Sequence, residues 1–160
     1  MSEDAIYIKP HHFVDIITAL GAGITQYDPH PYGHAEHTVA AKILADPDVG
    51  LRIELGADDI CRPCTHNVDG LCDDMIDTSW RPDAPPAKRQ WNLLIDQQWS
   101  QRVGITQGVQ LTARQFAKLL GERAGDISDI YREIPPPRSC ERAKNLQEGI
   151  KRFLEAGEAD

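Results

Sequence analysis

Residues Gly56 to Cys72 constrain the fold of this chain more than any other stretch. The segment is rich in Asp, Gly and Pro, so it cannot build a hydrophobic core of its own and has to be organised by something it binds. Three of the four cysteines lie in it, in Cys61-Arg62-Pro63-Cys64-Thr65-His66-Asn67-Val68-Asp69-Gly70-Leu71-Cys72, and the fourth is Cys140. Met1 to Pro10 hold no apolar leader, which sets the expectation of a cytoplasmic, reducing compartment. Clustered thiols there point to a metal site in preference to a disulfide framework.

The spacing says more. In C-x-x-C, Arg62-Pro63 lets both sulfurs turn to the same side and grip one centre. Asp69-Gly70 suits a tight turn that carries Cys72 back toward that centre. Cys140, read as the first residue of a helix capped by Ser139, gains thiolate character from the helix macrodipole and free N–H groups, as ligand or as nucleophile. The plainer alternatives are a small helix-start residue at Cys140 and a buried filler at Cys72. A thioredoxin-like redox pair should follow a strand and open a helix, whereas Pro63, Asn67 and Gly70 continue a loop.

One C-x-x-C plus two lone cysteines is a less regular set than the paired knuckles of structural zinc. It favours an iron–sulfur cluster of the 4Fe–4S kind held by Cys61, Cys64, Cys72 and Cys140, with zinc as the alternative. Asp58, Asp59, Asp69, Asp73, Asp74 and Asp77 crowd the same segment. An empty site would then gather repelling charges, and loss of the metal would loosen the loop.

The remaining pattern predicts a single compact domain over residues 1–160, mainly α with a short β element, whose metal-binding loop, 56–77, is completed by residue 140. At 160 residues and 41% hydrophobic the chain is long enough for a real core. Phe13, Ile16, Ile17 and Leu20 recur at helical spacing over His11 to Leu20, and a second helix is expected from about Pro31 to Ala45. Leu51, Ile53 and Leu55 alternate as a short strand. After a loop at Trp80 to Pro86, Trp91, Leu94, Ile95 and Trp99 form the best apolar stripe, ending near Gly104. Thr112 and Gln115 make a capping box, with Leu111 against Phe116 as its staple, for a helix to about Arg123. A short helix is expected near Ser128 to Glu133, stopped by Pro135-Pro136-Pro137. Ser139 then starts a last helix with Ala143, Leu146, Ile150, Phe153 and Leu154 inward.

A net charge of -8 argues against nucleic acid or an anionic membrane as partner. The basic group of Arg81, Lys88 and Arg89 reads as a solvated helix start. No apolar run approaches the ~20 residues that cross a bilayer. A redox partner protein or a small-molecule substrate is the expected partner, with the oligomeric state left open. His11 and His12, in a first helical turn, are candidates for a fourth ligand or for a catalytic proton donor. His30, His34 and His37 would share one helical face, as a second metal site or as a solvated surface.

Lys9-Pro10-His11-His12, Gly21-Ala22-Gly23 with Tyr27, Asp58-Asp59-Ile60-Cys61-Arg62-Pro63-Cys64, Asp69-Gly70-Leu71-Cys72 and Cys140-Glu141 follow one another in a telling order. In this the chain resembles the small bacterial and archaeal family called domain of unknown function 1284. The resemblance implies an iron–sulfur protein of unassigned activity, with Cys61, Cys64, Cys72 and Cys140 matching the cluster cysteines and His11 and His12 matching paired histidines. Thr65 departs from the proline usual after the second cysteine, a second C-x-x-C-like group is reduced to Cys140, and Thr78 to Gln90 is an insert. Together these readings predict an iron–sulfur protein for electron transfer or for a small redox or lyase-type reaction. The other class is a structural zinc module contacting proteins through the Trp91/Trp99 helix or the acidic surface.

Overall fold

A computed structural model describes residues 5–75, 87–131 and 134–159. Phe13, Val14, Ile16 and Ile17 have no exposed surface, so the helix that carries them, α1 (Pro10–Gly21), is enclosed on nearly every side. The long C-terminal helix lies along it, and two glycines explain how closely. A Cβ at Gly149 would stand 1.8 Å from the Ile17 carbonyl oxygen, and one at Gly21 would stand 1.8 Å from the Asn145 carbonyl oxygen. Only hydrogen at these two positions lets the backbones touch. Phe13 stacks on Phe116 with ring centres 4.4 Å apart and meets Phe153 edge-on.

The other helices are α2 (Glu36–Ala45), α3 (Lys88–Val103), α4 (Ala113–Arg123) and α5 (Pro136–Ala159). Three short strands, β1 (Ile6–Ile8), β2 (Gly50–Ile53) and β5 (Gln110–Thr112), form a sheet in the order β1-β2-β5. β1 is parallel to β2, with Ile6 opposite Leu51, while β5 runs antiparallel on the other edge, with Leu111 opposite Leu51. Ile6, Ile8, Leu51, Ile53 and Leu111 alternate inward and join the helices in one core. Between them, β3 (Asn67–Val68) and β4 (Leu71–Cys72) form a two-stranded hairpin. The chain is thus a single, mainly helical domain with a small sheet. No helix among the described residues is long and apolar enough to cross a membrane.

Several expected boundaries move. α2 starts at Glu36, not Pro31, because Gly33 sits at φ +76 in a turn closed by its N–H on the His30 carbonyl. In α3 the buried stripe is Trp91, Ile95, Asp96, Trp99 and Val103, and Leu94 faces solvent. Trp91 and Trp99 are buried, so the exposed large apolar side chains of α3 are Leu93 and Leu94. The capping box at Thr112 forms as expected, and Gly104 ends α3 in the left-handed conformation. Ser128 to Ile130 is a turn, and residues 132 and 133 of the expected short helix lie outside the described residues. So do the Trp80 to Pro86 loop, Asp77 and most of the insert from Thr78.

α5 begins at Pro136 rather than Ser139. A first-turn proline gives up an N–H that has no intrahelical partner anyway, so Pro136 and Pro137 open the helix instead of merely ending the preceding segment. Leu146, Ile150 and Phe153 are buried as expected, while Ala143 and Leu154 are half-buried.

Candidate metal centre

The site grows out of the first turn of α1. Lys9 stands at the N-cap with no side chain of its own turn capping it, and Pro10 has no N–H. The free donors are met by two fully buried carboxylates from far along the chain. Lys9 N donates to Asp58 Oδ2 at 2.7 Å, and His11 N donates to Asp96 Oδ1 at 2.8 Å. Negative charge at a helix N-terminus is favoured by the macrodipole, so both caps are also electrostatic ones.

The same carboxylates orient the two histidines. His12 Nδ1 lies 2.7 Å from Asp58 Oδ2, and His11 Nδ1 lies 2.9 and 3.0 Å from the two oxygens of Asp96. In the cysteine loop, His66 Nδ1 lies 2.7 Å from Asp73 Oδ1. An ionised carboxylate only accepts, so Nδ1 carries the proton in each ring and the neutral imidazole keeps its lone pair on Nε2. This is how metal-binding histidines are held by their outer neighbours.

Charge follows geometry. Burial works against ionising Asp58, but His12 and the N–H groups of Lys9 and Cys61 outweigh it and hold the carboxyl well below the usual range. Burial likewise disfavours the His11 cation, yet Asp96 and its hydrogen bond keep the pKa above the ordinary value. The Cys61 thiol is pushed up to about 11, by burial first and then by Asp58.

Cys61, Cys64 and Cys72 line two cavities at once, one of about 390 Å³ shared with His11, His12 and His66, the other of about 470 Å³ against Leu55, Leu71 and Leu93. Cys61 N donates to Asp58 Oδ1 at 3.0 Å, so Asp58 sets the start of the C-x-x-C turn as well as His12. His66 N donates to Cys64 Sγ at 3.4 Å. Asp69 (φ +54) and Gly70 (φ +84) form the tight hairpin turn that returns Cys72 to the cavity. Among the described residues, His12, Asp58 and Cys61 are a set whose donor atoms all lie within 4.8 Å of one another. Asp58 already accepts three hydrogen bonds, which casts it as the group that positions His12 and Cys61.

Cys140 lies in the second turn of α5, exposed, and does not line either cavity. The structure therefore gathers three of the four expected thiol ligands with both expected histidines. His30 and His34 reach the same cavity from the loop before α2, not from a helix face, and their rings stack 4.4 Å apart. His37, in the first turn of α2, does not line that cavity. The His34 imidazole is held below its ordinary pKa by burial, then by His30, His12 and Lys88.

Sequence reasoning missed Asp96, His66 and Asp73 as parts of the site and read Asp58 only as one of a repelling crowd. The signal at Asp96 was present, since it is an acid in phase with Trp91, Ile95 and Trp99. The crowd itself is largely partnered: Asp59 accepts from Tyr7 N and Arg62, Asp73 meets His66, and Asp74 meets Lys88 and Met75 N. No family model, no curated protein and no solved structure matches this chain.

Proposed function

We propose that this protein binds a metal centre through the thiolates of Cys61, Cys64 and Cys72, completed by Nε2 of His12, and that the centre is an iron–sulfur cluster serving a redox partner or a small-molecule substrate. The observation that carries the reading is the carboxylate-held His12 beside Cys61, with the other two thiols around the same cavity. Two thiolates on one zinc stand at most about 4.6 Å apart, twice the Zn–S bond. The three thiols form no set of that compactness among the described residues, and a polynuclear cluster spans a wider spread. The Pro10-His11-His12 and Asp58-to-Cys64 segments, which carry the family resemblance, are the ones that meet here. When bound, such a centre supplies electron transfer or a Lewis-acid position. His12 is then a ligand and His11 the proton-holding neighbour.

Zinc is the second reading, favoured by the carboxylate–imidazole pair itself, a common outer arrangement of zinc histidines in Cys₃His sites. Anaerobic purification followed by iron, sulfide and zinc analysis separates the two. The expected result is a coloured protein that loses its metal in Cys61→Ser, Cys64→Ser and Cys72→Ser, holds it weakly in His12→Ala and keeps it in Cys140→Ser. Colourless protein with one zinc per chain promotes the second reading. Loss of metal in Cys140→Ser with none in His12→Ala restores the four-cysteine set, and metal-free protein under iron- and zinc-replete expression removes both readings.

A further inference from the structure

The cavity of about 390 Å³ has polar groups that the metal reading leaves unused. His30 and His34 differ from His12 and His66 in one respect. Their Nδ1 atoms accept backbone N–H groups, from Tyr32 at 3.0 Å and Glu36 at 3.4 Å. A neutral imidazole whose Nδ1 accepts carries its proton on Nε2, so these stacked rings are N–H donors with no lone pair to offer a metal. One cavity therefore holds two kinds of histidine, one kind with a free lone pair and one with a free N–H.

Cations sit in the same wall. Arg138 and Arg142 are four residues apart on α5 and therefore share a face. Arg142 pairs with Asp15 at 2.6 Å and stacks over Tyr131, its guanidinium centre 4.5 Å from the ring centre. Lys88 stands 3.5 Å from Asp74. Two of the cavity's carboxylates are thus engaged. Burial and then Asp15 raise the pKa of the third, Glu36, easing its protonation. Arg138 has no ion pair among the described residues, is exposed and lines the cavity.

We propose that this part of the cavity binds a small anion, a carboxylate- or phosphate-bearing molecule, with Arg138 as its charge partner and the Nε2–H groups of His30 and His34 as its donors. A guanidinium fork matches the paired oxygens of either group. The reaction the anion undergoes rests on the metal reading; its capture does not.

Calorimetric titration of the full chain with inorganic phosphate and with malonate tests this and tells the two sources apart. At least one anion binds saturably, Arg138→Gln weakens it about tenfold or more, as loss of one charge-assisted contact does, and His30→Phe weakens it without changing net charge. Lys151→Gln, which removes the same charge from the same helix outside the cavity, leaves it unchanged. The proposal is overturned if neither anion saturates, if Lys151→Gln weakens binding as much as Arg138→Gln, or if His30→Phe binds as the parent does. Metal content measured on each sample keeps the readings separate, since full metal with lost anion binding strikes only the anion site, and anion binding without metal strikes only the centre.

Discussion

Asp58 concentrates the chemistry of the site in one side chain, because three donors from α1 and the C-x-x-C turn converge on a carboxylate with no exposed surface. Asp58→Asn keeps the shape and removes the charge, and should lower stability in urea denaturation by about 2–4 kcal/mol, because the amide turns an NH2 toward buried donors that the carboxylate accepted from and leaves them unpaired. Asp69→Asn, exposed in the hairpin turn, should change it by less than about 0.5 kcal/mol. Equal effects from the two would mean that charge at Asp58 is not what holds the turn. Cys61, Cys64, Cys72, His11 and His12 could be picked out as candidates because their chemistry is intrinsic to residue type and spacing, while His66, alone between Thr65 and Asn67, carried no such pattern. Nor could the carboxylates be picked out, because Asp58 meets Lys9 and Asp96 meets His11 only after folding, and no local pattern encodes a partner that distant.

Elements divide by the same criterion. The Thr112 capping box lies within four residues and was legible in full; Thr112→Ala should cost about 1 kcal/mol by thermal or chemical denaturation. The α1–α5 crossing was not legible, since a glycine inside a helical pattern gives no hint of what approaches it. Gly149→Ala drives a methyl into the Ile17 carbonyl and should cost about 3 kcal/mol or more. Gly121→Ala places its Cβ 3.4 Å from Ile150 Cγ2, near an ordinary contact, and should stay within about 1 kcal/mol of the parent because helix propensity offsets the crowding. Similar losses at the two glycines would deny the close approach. Three-residue strands such as β1 escaped notice because two alternations cannot be told from chance. The prolines before α5 were ambiguous, since the same residue ends one segment and opens the next.

In the whole molecule the cysteine loop is tied to the body by backbone bonds as well as by Asp58. Asp59 N donates to the Tyr7 carbonyl, Ala35 N to that of Ile60 and Thr65 N to that of Tyr32. Those ties hold the N-terminal side of the loop, and Lys88 N on the Asp74 carbonyl with the Met75–Ala87 bridge holds its far end, leaving between them the hairpin at Asn67–Cys72 with Val68 and Leu71 exposed. With the proposed centre bound, its removal by a chelator should therefore open residues 66–72 to limited proteolysis while far-ultraviolet circular dichroism changes little. Loss of helical signal in step with cleavage would instead make loop and bundle one cooperative unit. Because the opening turn of α1 takes its caps from Asp58 and Asp96, heritable change at these positions is screened twice, once by what the site does and once by whether the chain folds. A library randomised at both positions and sorted only for soluble expression should return acceptor side chains, although no selection for activity was applied.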